Sequence, residues 1–177
     1  MSAPLYLTES YNLRMRAPTL DDAEALYRLT EPPETRRFLG IAEASRSDSF
    51  NRLLRNAGSW SLFGYGIMMV EEKASGAFVG QCGLFRADRG HGADFNMPEA
   101  GWIIAQEHWG KGYATEAMQA IIPWFEGKFG KQPMGCMIEF GHVASDKVAR
   151  KLGFKILREI DEGDGDDRAH LVLYRRD

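Results

Sequence analysis

Cysteine and histidine are scarce, and no stretch of the chain is uniformly apolar or uniformly basic. Among 177 residues there are two cysteines and four histidines. Cys82 and Cys136 each sit in an apolar run, the usual setting of a buried free thiol. There is no C-x-x-C pair, and His91, His108, His142 and His170 have no close ligand spacing. A dedicated metal site is therefore not expected. No apolar run approaches the ~20 residues that a membrane-spanning helix requires. Met1–Asn12 has no basic segment followed by an apolar core, so no secretory signal is expected and a cytoplasmic location follows. The net charge of −3 argues against a nucleic-acid or membrane partner held by bulk charge. The apolar fraction of 44% and charged fraction of 27% suit one domain over residues 1–177 with a sizeable core. No internal repeat or dividing linker is visible.

Hydrophobic periodicity then divides the chain. Leu13, Met15 and Ala17 alternate with arginines, as a half-buried strand does. Thr19 before Leu20-Asp21-Asp22 reads as an N-cap with first-turn acids, opening a helix over Thr19–Thr30. Phe38-Leu39 and Phe50, Leu53 and Leu54 predict one or two helical pieces up to Asn56, ended by Gly58. Trp60–Glu72 reads as a strand, Ala74-Ser75-Gly76 as a turn and Phe78–Phe85 as its antiparallel partner. Arg86–Pro98 reads as a mobile loop, and Ala100–Ala105 as a strand. Tyr113–Phe129 carries the strongest helical pattern, with Ala114, Ala117, Met118, Ile121, Ile122 and Phe125 on one face. Pro123 inside it predicts a kink or an early end. Met134–Phe140 follows as a strand. A short helix capped by Ser145 runs to Leu152, with Gly153 at the left-handed position beyond its end. Lys155–Ile160 and His170–Arg175 close as a hairpin across the acidic Asp161–Asp167.

The informative segment is Trp102–Ala117, where a strand enters a glycine-containing turn that opens into the best helix. The first turn of a helix presents unpaired N–H groups and positive potential, a setting for phosphate oxygens. Gly110 and Gly112 let the backbone curl towards an anion. The same glycines would also serve a plain strand-to-helix turn. A P-loop is excluded, because Lys111 lies between the glycines and no Ser or Thr follows it. A Rossmann fingerprint fails because Thr115 stands at its third glycine position.

The run from Glu99-Ala100-Gly101-Trp102 through Trp109-Gly110-Lys111-Gly112-Tyr113-Ala114-Thr115-Glu116-Ala117 resembles the acetyl-CoA motif of the GNAT superfamily, in its RimJ/RimL-like branch. His142-Val143-Ala144-Ser145 with Lys151-Leu152-Gly153-Phe154 resembles the N-x-x-S…K-L-G-F segment of that branch. Leu13–Thr19 and Asp21-Asp22-Ala23 resemble its opening strand and helix. His142 stands in place of the asparagine, and Trp109 stands first in the Q/R-x-x-G-x-G/A pattern. The resemblance implies a mixed α/β fold: a central, mostly antiparallel sheet, two splayed parallel strands and flanking helices. It implies acetyl-CoA as cosubstrate and an amine, small molecule or protein N-terminus, as acceptor, in a monomer or homodimer. It places the pyrophosphate on Gly110, Lys111, Gly112, Tyr113, Ala114 and Thr115. The pantetheine arm falls beside Ile103 and Ile104, with Trp109, His142 and Ser145 nearby.

Direct attack of an amine on a thioester needs a base, because lysine-like amines titrate near ~10.4. Glu99 is the first candidate and Glu139, on the other splayed strand, the second; each also reads as an ordinary structural carboxylate. By the same resemblance, the N–H near Ile104 is the candidate oxyanion donor. Ser145 is the candidate proton donor to the leaving thiolate, alongside its role as a cap. Trp60, Phe63 and Tyr65 read either as an acceptor pocket or as core, and the acidic Glu162–Asp167 either as a lure for cationic amines or as a solvated turn. A non-catalytic acyl-CoA-binding module on the same fold, and a different acyl donor such as succinyl-CoA, stay open.

Overall fold

The strands are β1 (Tyr6–Glu9), β2 (Leu13–Arg16), β3 (Ile67–Glu72), β4 (Phe78–Phe85), β5 (Glu99–Ile104), β6 (Met134–Glu139), β7 (Lys155–Glu162) and β8 (Ala169–Arg176). The helices are α1 (Ala23–Leu29), α2 (Pro33–Arg36), α3 (Arg46–Phe63), α4 (Tyr113–Phe129) and α5 (Val143–Lys151). They come from a computed structural model that describes residues 5–163 and 168–177. The strands form one sheet in the order β1-β2-β3-β4-β5-β6-β8-β7. Every neighbouring pair is antiparallel except β5 and β6.

Alternation along β3 explains why both faces are covered. Met68 and Val70 pack with the inner face of α4 (Ala117, Met118, Ile121, Phe125) and with Ala149 of α5. Ile67 and Met69 pack with Leu26 and Leu29 of α1 and Leu53 of α3. Successive residues of a strand point to opposite faces, so α4 and α5 lie on one side of the sheet and α1 and α3 on the other.

Several expectations need correction. β1 had no counterpart in the sequence reading; Tyr6 and Leu7 are only half-buried, so its pattern is weak. Of the helical pieces expected up to Asn56, Phe38-Leu39 lie in a turn after α2, while Phe50, Leu53 and Leu54 belong to one helix from Arg46 to Phe63, capped by Ser45 Oγ, which accepts from Asp48 N–H at 3.2 Å. A glycine inside a helix costs only ~1 kcal/mol relative to alanine, and Gly58 does not stop it. The stop is Gly64, at φ +73°. Trp60 therefore belongs to the helix rather than to a strand. Its indole reaches across to donate to Ile67 O at 3.0 Å, and β3 begins only at Ile67.

Pro123 neither ends α4 nor shortens it. It sits on the exposed side, where water can satisfy the freed carbonyl, while Ile121, Ile122 and Phe125 hold the helix to the sheet. The second short helix starts at Val143, with His142 at the cap position, so Ser145 lies inside the first turn and is not the cap. Its far end behaves as expected. Gly153 N–H bonds Arg150 O and Phe154 N–H bonds Ala149 O, each at 3.0 Å, with Gly153 at φ +86°. The segment Arg86–Pro98 contains a 3-10 turn at Ala93–Phe95 and buries Phe95 and Met97.

One buried polar cluster ties the N-terminal strands to α1. Arg16 donates to both Asp22 oxygens at 2.8 and 2.6 Å and to Glu71 at 2.8 Å. Asp22 also accepts from Thr19 N–H at 2.6 Å, and Glu71 from Tyr6 Oη at 2.7 Å. Burial alone would raise the Asp22 pKa, but the bonds from Arg16 and Thr19 outweigh it and hold it below the ordinary carboxylate value. Asp22→Ala leaves Arg16 with Glu71 as its remaining carboxylate and should cost about 2–3 kcal/mol in chemical denaturation at neutral pH, below the full penalty of an unpaired buried charge. A depressed native pKa gives stability above the unfolded value that is lost as pH falls through the native one. The gap between wild type and variant should therefore narrow on acidification.

Candidate functional site

β5 and β6 share one paired position, Glu99 opposite Gly135, secured by Gly135 N–H donating to Pro98 O at 2.9 Å. Beyond it the strands part. Ala105 N–H bonds Val79 O on the β4 side. Hydrogen-bonding direction alternates along an antiparallel strand, so the peptide groups of Trp102 and Ile104 point away from β4, into the gap. The Trp109 indole donates to Ile104 O at 2.7 Å, which leaves the Ile104 N–H facing the opening.

At the wide end of the gap the chain turns through Gln106–Trp109 into α4. Gly110 and Gly112 adopt φ of +77° and +79°, which residues with a Cβ rarely reach. No N–H from Gly110 to Thr115 donates to a described protein group. A Cβ on either glycine would meet nothing within 4 Å, so the turn opens outward. The result is a concave array of free amides at the positive end of a helix, suited to a diphosphate. The side chains there serve the scaffold. Lys111 Nζ lies 3.2 Å from His108 Nδ1, Tyr113 Oη donates to Glu72 at 2.6 Å, and Glu116 accepts from Ser10 Oγ at 2.6 Å and Asn12 N–H at 2.7 Å. Tyr113 is thus held away from the gap, and the backbone is what the turn presents.

A cleft of about 560 Å³ runs along the parted strands on the α3 side. Glu99, Trp102, Ile103, Glu139, His142 and Ser145 all line it. Five of these were singled out from the sequence, and the fold brings them together. Gly110–Thr115 do not line it; they sit beyond the end of β5. Trp60, Phe63 and Tyr65 do not line it either. Tyr65 is buried against Phe125 and Phe129, Trp60 packs on Trp124, and Phe63 is exposed, so the acceptor-pocket reading of these aromatics fails. Of the acidic run Glu162–Asp167, residues 164–167 lie outside the described residues; nearby, Asp161 is bonded to Arg168 and His170.

Glu99 sits at the closed end of the gap, 2% exposed, with both oxygens near Arg89 Nε at 3.1 and 3.0 Å. Burial pushes its pKa up, Arg89 opposes this and Glu162 adds to it, and the net shift is upward. Ser145 Oγ accepts from the Trp102 indole at 3.3 Å and lies 3.1 Å from His142 Nε2. The His142 ring stacks on Phe38, with centroids 4.3 Å apart, and burial lowers its pKa. The His142 ring and the Ser145 hydroxyl thus lie within hydrogen-bonding distance at the cleft wall. The sequence reading missed the Trp102 indole as a cleft side chain, Phe38 as the platform for His142, Arg89, and the polar face of α3. Only the last had a signal, since Arg52, Arg55, Asn56 and Ser59 recur at helical spacing.

Comparison with known proteins agrees with this geometry. The domain described as "Acetyltransferase (GNAT) domain" matches residues 12–155. The chain is 37% identical over 101 residues to an uncharacterized protein, YkkB, of Bacillus subtilis, a match covering 55% of this chain and 56% of that one. It is 24% identical over 157 residues to an uncharacterized N-acetyltransferase, p20, of Bacillus licheniformis, covering 86% of each. A putative GnaT-family acetyltransferase from Bordetella pertussis superimposes with a TM-score of 0.81 at 26% identity, covering 99% of this chain and 100% of that one. The ribosomal L7/L12 alpha-N-protein acetyltransferase RimL, solved with coenzyme A, gives 0.77 at 15% identity over 97% of each chain, a likeness of fold.

The raised Glu99 pKa has a measurable consequence. A buried acid that holds its proton above the unfolded value lowers stability as pH rises through that window. Glu99→Gln should therefore leave the thermal midpoint at neutral pH equal to or above wild type, and the difference should shrink in acid. A large loss at neutral pH would show that the Arg89 pair stabilises the fold after all.

Proposed function

The chain belongs to the GNAT acetyltransferase family, and from that premise we propose that it moves the acetyl group of acetyl-CoA to a primary amine of a small molecule or a protein N-terminus, in a ternary complex. The observation that carries the reading is the parting of β5 from β6 beside a turn of free amides. The residues present fit acetyl-CoA: the amides of Gly110–Thr115 receive its diphosphate, and the peptide groups of Trp102 and Ile104 pair with the amides of its arm.

Acetyl-CoA supplies an activated carbonyl, and the chain supplies positions and protons. The Ile104 N–H meets the negative charge that develops on the carbonyl oxygen. Glu99 takes a proton from the incoming ammonium, directly or through one water, so that a neutral nitrogen forms the C–N bond. As the C–S bond breaks, Ser145 Oγ delivers a proton to sulfur, and the second proton of the acylated nitrogen passes through water and His142 to resupply Ser145. Glu139, half-buried on β6, is the alternative base. Trp109 fixes the Ile104 carbonyl and with it the orientation of that peptide.

Three measurements test this. Calorimetry should show acetyl-CoA binding that Gly112→Ala weakens by about tenfold, since the free variant relaxes out of the left-handed region and binding must restore it at a cost of roughly 1–2 kcal/mol. Glu99→Gln should lower kcat by about 100-fold or more with acetyl-CoA binding intact. The rising limb of kcat/KM against pH should lie above the ordinary carboxylate range. Absence of heat with acetyl-CoA would sink the reading. Binding without thiol release on any amine would leave a non-catalytic acyl-CoA module instead.

A further inference from the structure

One wall of the cleft is not used by this chemistry. Arg52, Arg55, Asn56 and Ser59 follow each other along one face of α3, and all four line the cavity opposite β5. Asn56 and Ser59 are engaged, with Gln81 Oε1 at 3.4 Å and Tyr65 O at 2.9 Å. The two arginines are not: among the described residues neither has a hydrogen-bond or ion-pair partner. Most other arginines among the described residues have a carboxylate or carbonyl partner. Arg14 and Arg16 hold Glu71, Arg158 holds Asp94, Arg36 donates to the Thr30 and Glu31 carbonyls, and Arg37 lies over Phe38. On the cleft rim, Arg86 donates to the neutral Asn96 Oδ1 at 2.7 Å and makes no ion pair among the described residues. Asp48, one turn before Arg52, makes no ion pair with it; burial first and then the neighbouring Arg55 bear against the Arg52 charge, and Asp48 offsets them only in part.

Two like charges three residues apart on a helix repel each other. Here they also face a cavity of a protein whose net charge is −3. A paired guanidinium fork is the recognition element for a carboxylate or phosphate. We infer that the amine acceptor carries an anionic group, carboxylate or phosphate, and that Arg52 and Arg55 bind it while its amine reaches towards Glu99. The inference rests on the acetyl-transfer reading and adds the acceptor class.

The test is thiol release from acetyl-CoA with amines matched in length: δ-aminovalerate, δ-aminovaleramide, δ-aminobutyl phosphate and cadaverine, with β-alanine and β-alaninamide as a shorter pair. The carboxylate or phosphate amine should exceed its neutral partner in kcat/KM by about tenfold or more, and cadaverine should be the poorest. Comparing the two anionic arms tells which group is preferred. Arg52→Gln with Arg55→Gln should bring the ratio of anionic to neutral acceptor towards one, mainly through KM. Arg52→Lys with Arg55→Lys should keep part of it. Should the glutamine variant not fold, the wild-type ratio and the lysine variant decide. Preference for the amide or cadaverine, no turnover of any anionic amine while acetyl-CoA binds, or a ratio unmoved by the glutamine variant would overturn the inference alone. Failure to bind acetyl-CoA would overturn the acetyl-transfer reading first, and this inference with it.

Discussion

A sheet in which two neighbouring strands stop pairing must find other partners for the peptide groups it releases. Buried amides and carbonyls left without partners each cost on the order of 1–3 kcal/mol. The divergence of β5 and β6 after Glu99 and Gly135 is therefore tolerable only if something fills the gap. Part of the filling is intramolecular, since the Trp109 indole covers the Ile104 carbonyl. The rest faces the cleft, where water or a ligand with its own amides can meet it, as the proposed function requires.

The narrow end of the slot is fixed by size. A Cβ at Gly135 would come within 2.7 Å of the Phe95 ring, so glycine is what lets the Ala93–Phe95 turn pack down over the one paired position. The wide end is fixed by backbone conformation instead: Gly110 and Gly112 have open space around them and are constrained by φ. Between these ends, β4 and β8 hold the outer edges of the parted strands through full ladders of six paired positions each. The gap thus opens inside a sheet that is rigid on both sides.

This explains what the sequence could and could not reveal. α4 was legible to the residue because Ala117, Met118, Ile121 and Phe125 all meet one surface, and a single buried face writes a clean period. The turn into α4 was legible because glycine at a left-handed position is a local requirement. α3 was misread because its apolar contacts are few: Leu53 is buried, while Leu54, Leu62 and Phe63 are exposed, so the aromatic run after Gly58 imitates a strand. The Glu99–Arg89 and Phe38–His142 contacts were illegible for another reason. Each involves an irregular segment, Arg89 in a loop and both Phe38 and His142 outside the helices, and no periodicity in the chain marks such a meeting. Sequence reasoning could place Glu99 at the mouth of the motif, but could not see that it is buried, or beside what.

The electrostatics of the cleft follow from the same division. Glu99 at the closed end is a carboxylate whose proton affinity is raised by burial and moderated by Arg89. Such a group accepts a proton from an ammonium more readily than a solvated carboxylate does, because its neutral form costs less to hold there. The α3 wall carries the opposite sign at Arg52 and Arg55. A bare polycation is drawn to the first and repelled by the second. A molecule with an amine at one end and an anionic group at the other satisfies both, and is turned so that nitrogen leads. Orientation of that kind is worth more to a direct attack than added affinity, since the nitrogen must arrive along the line that the strand gap defines. On the proposed reading, the open strand pair, the buried acid and the arginines without a partner among the described residues would act as one device: the gap would set where the carbonyl lies, and the charges which end of the acceptor reaches it.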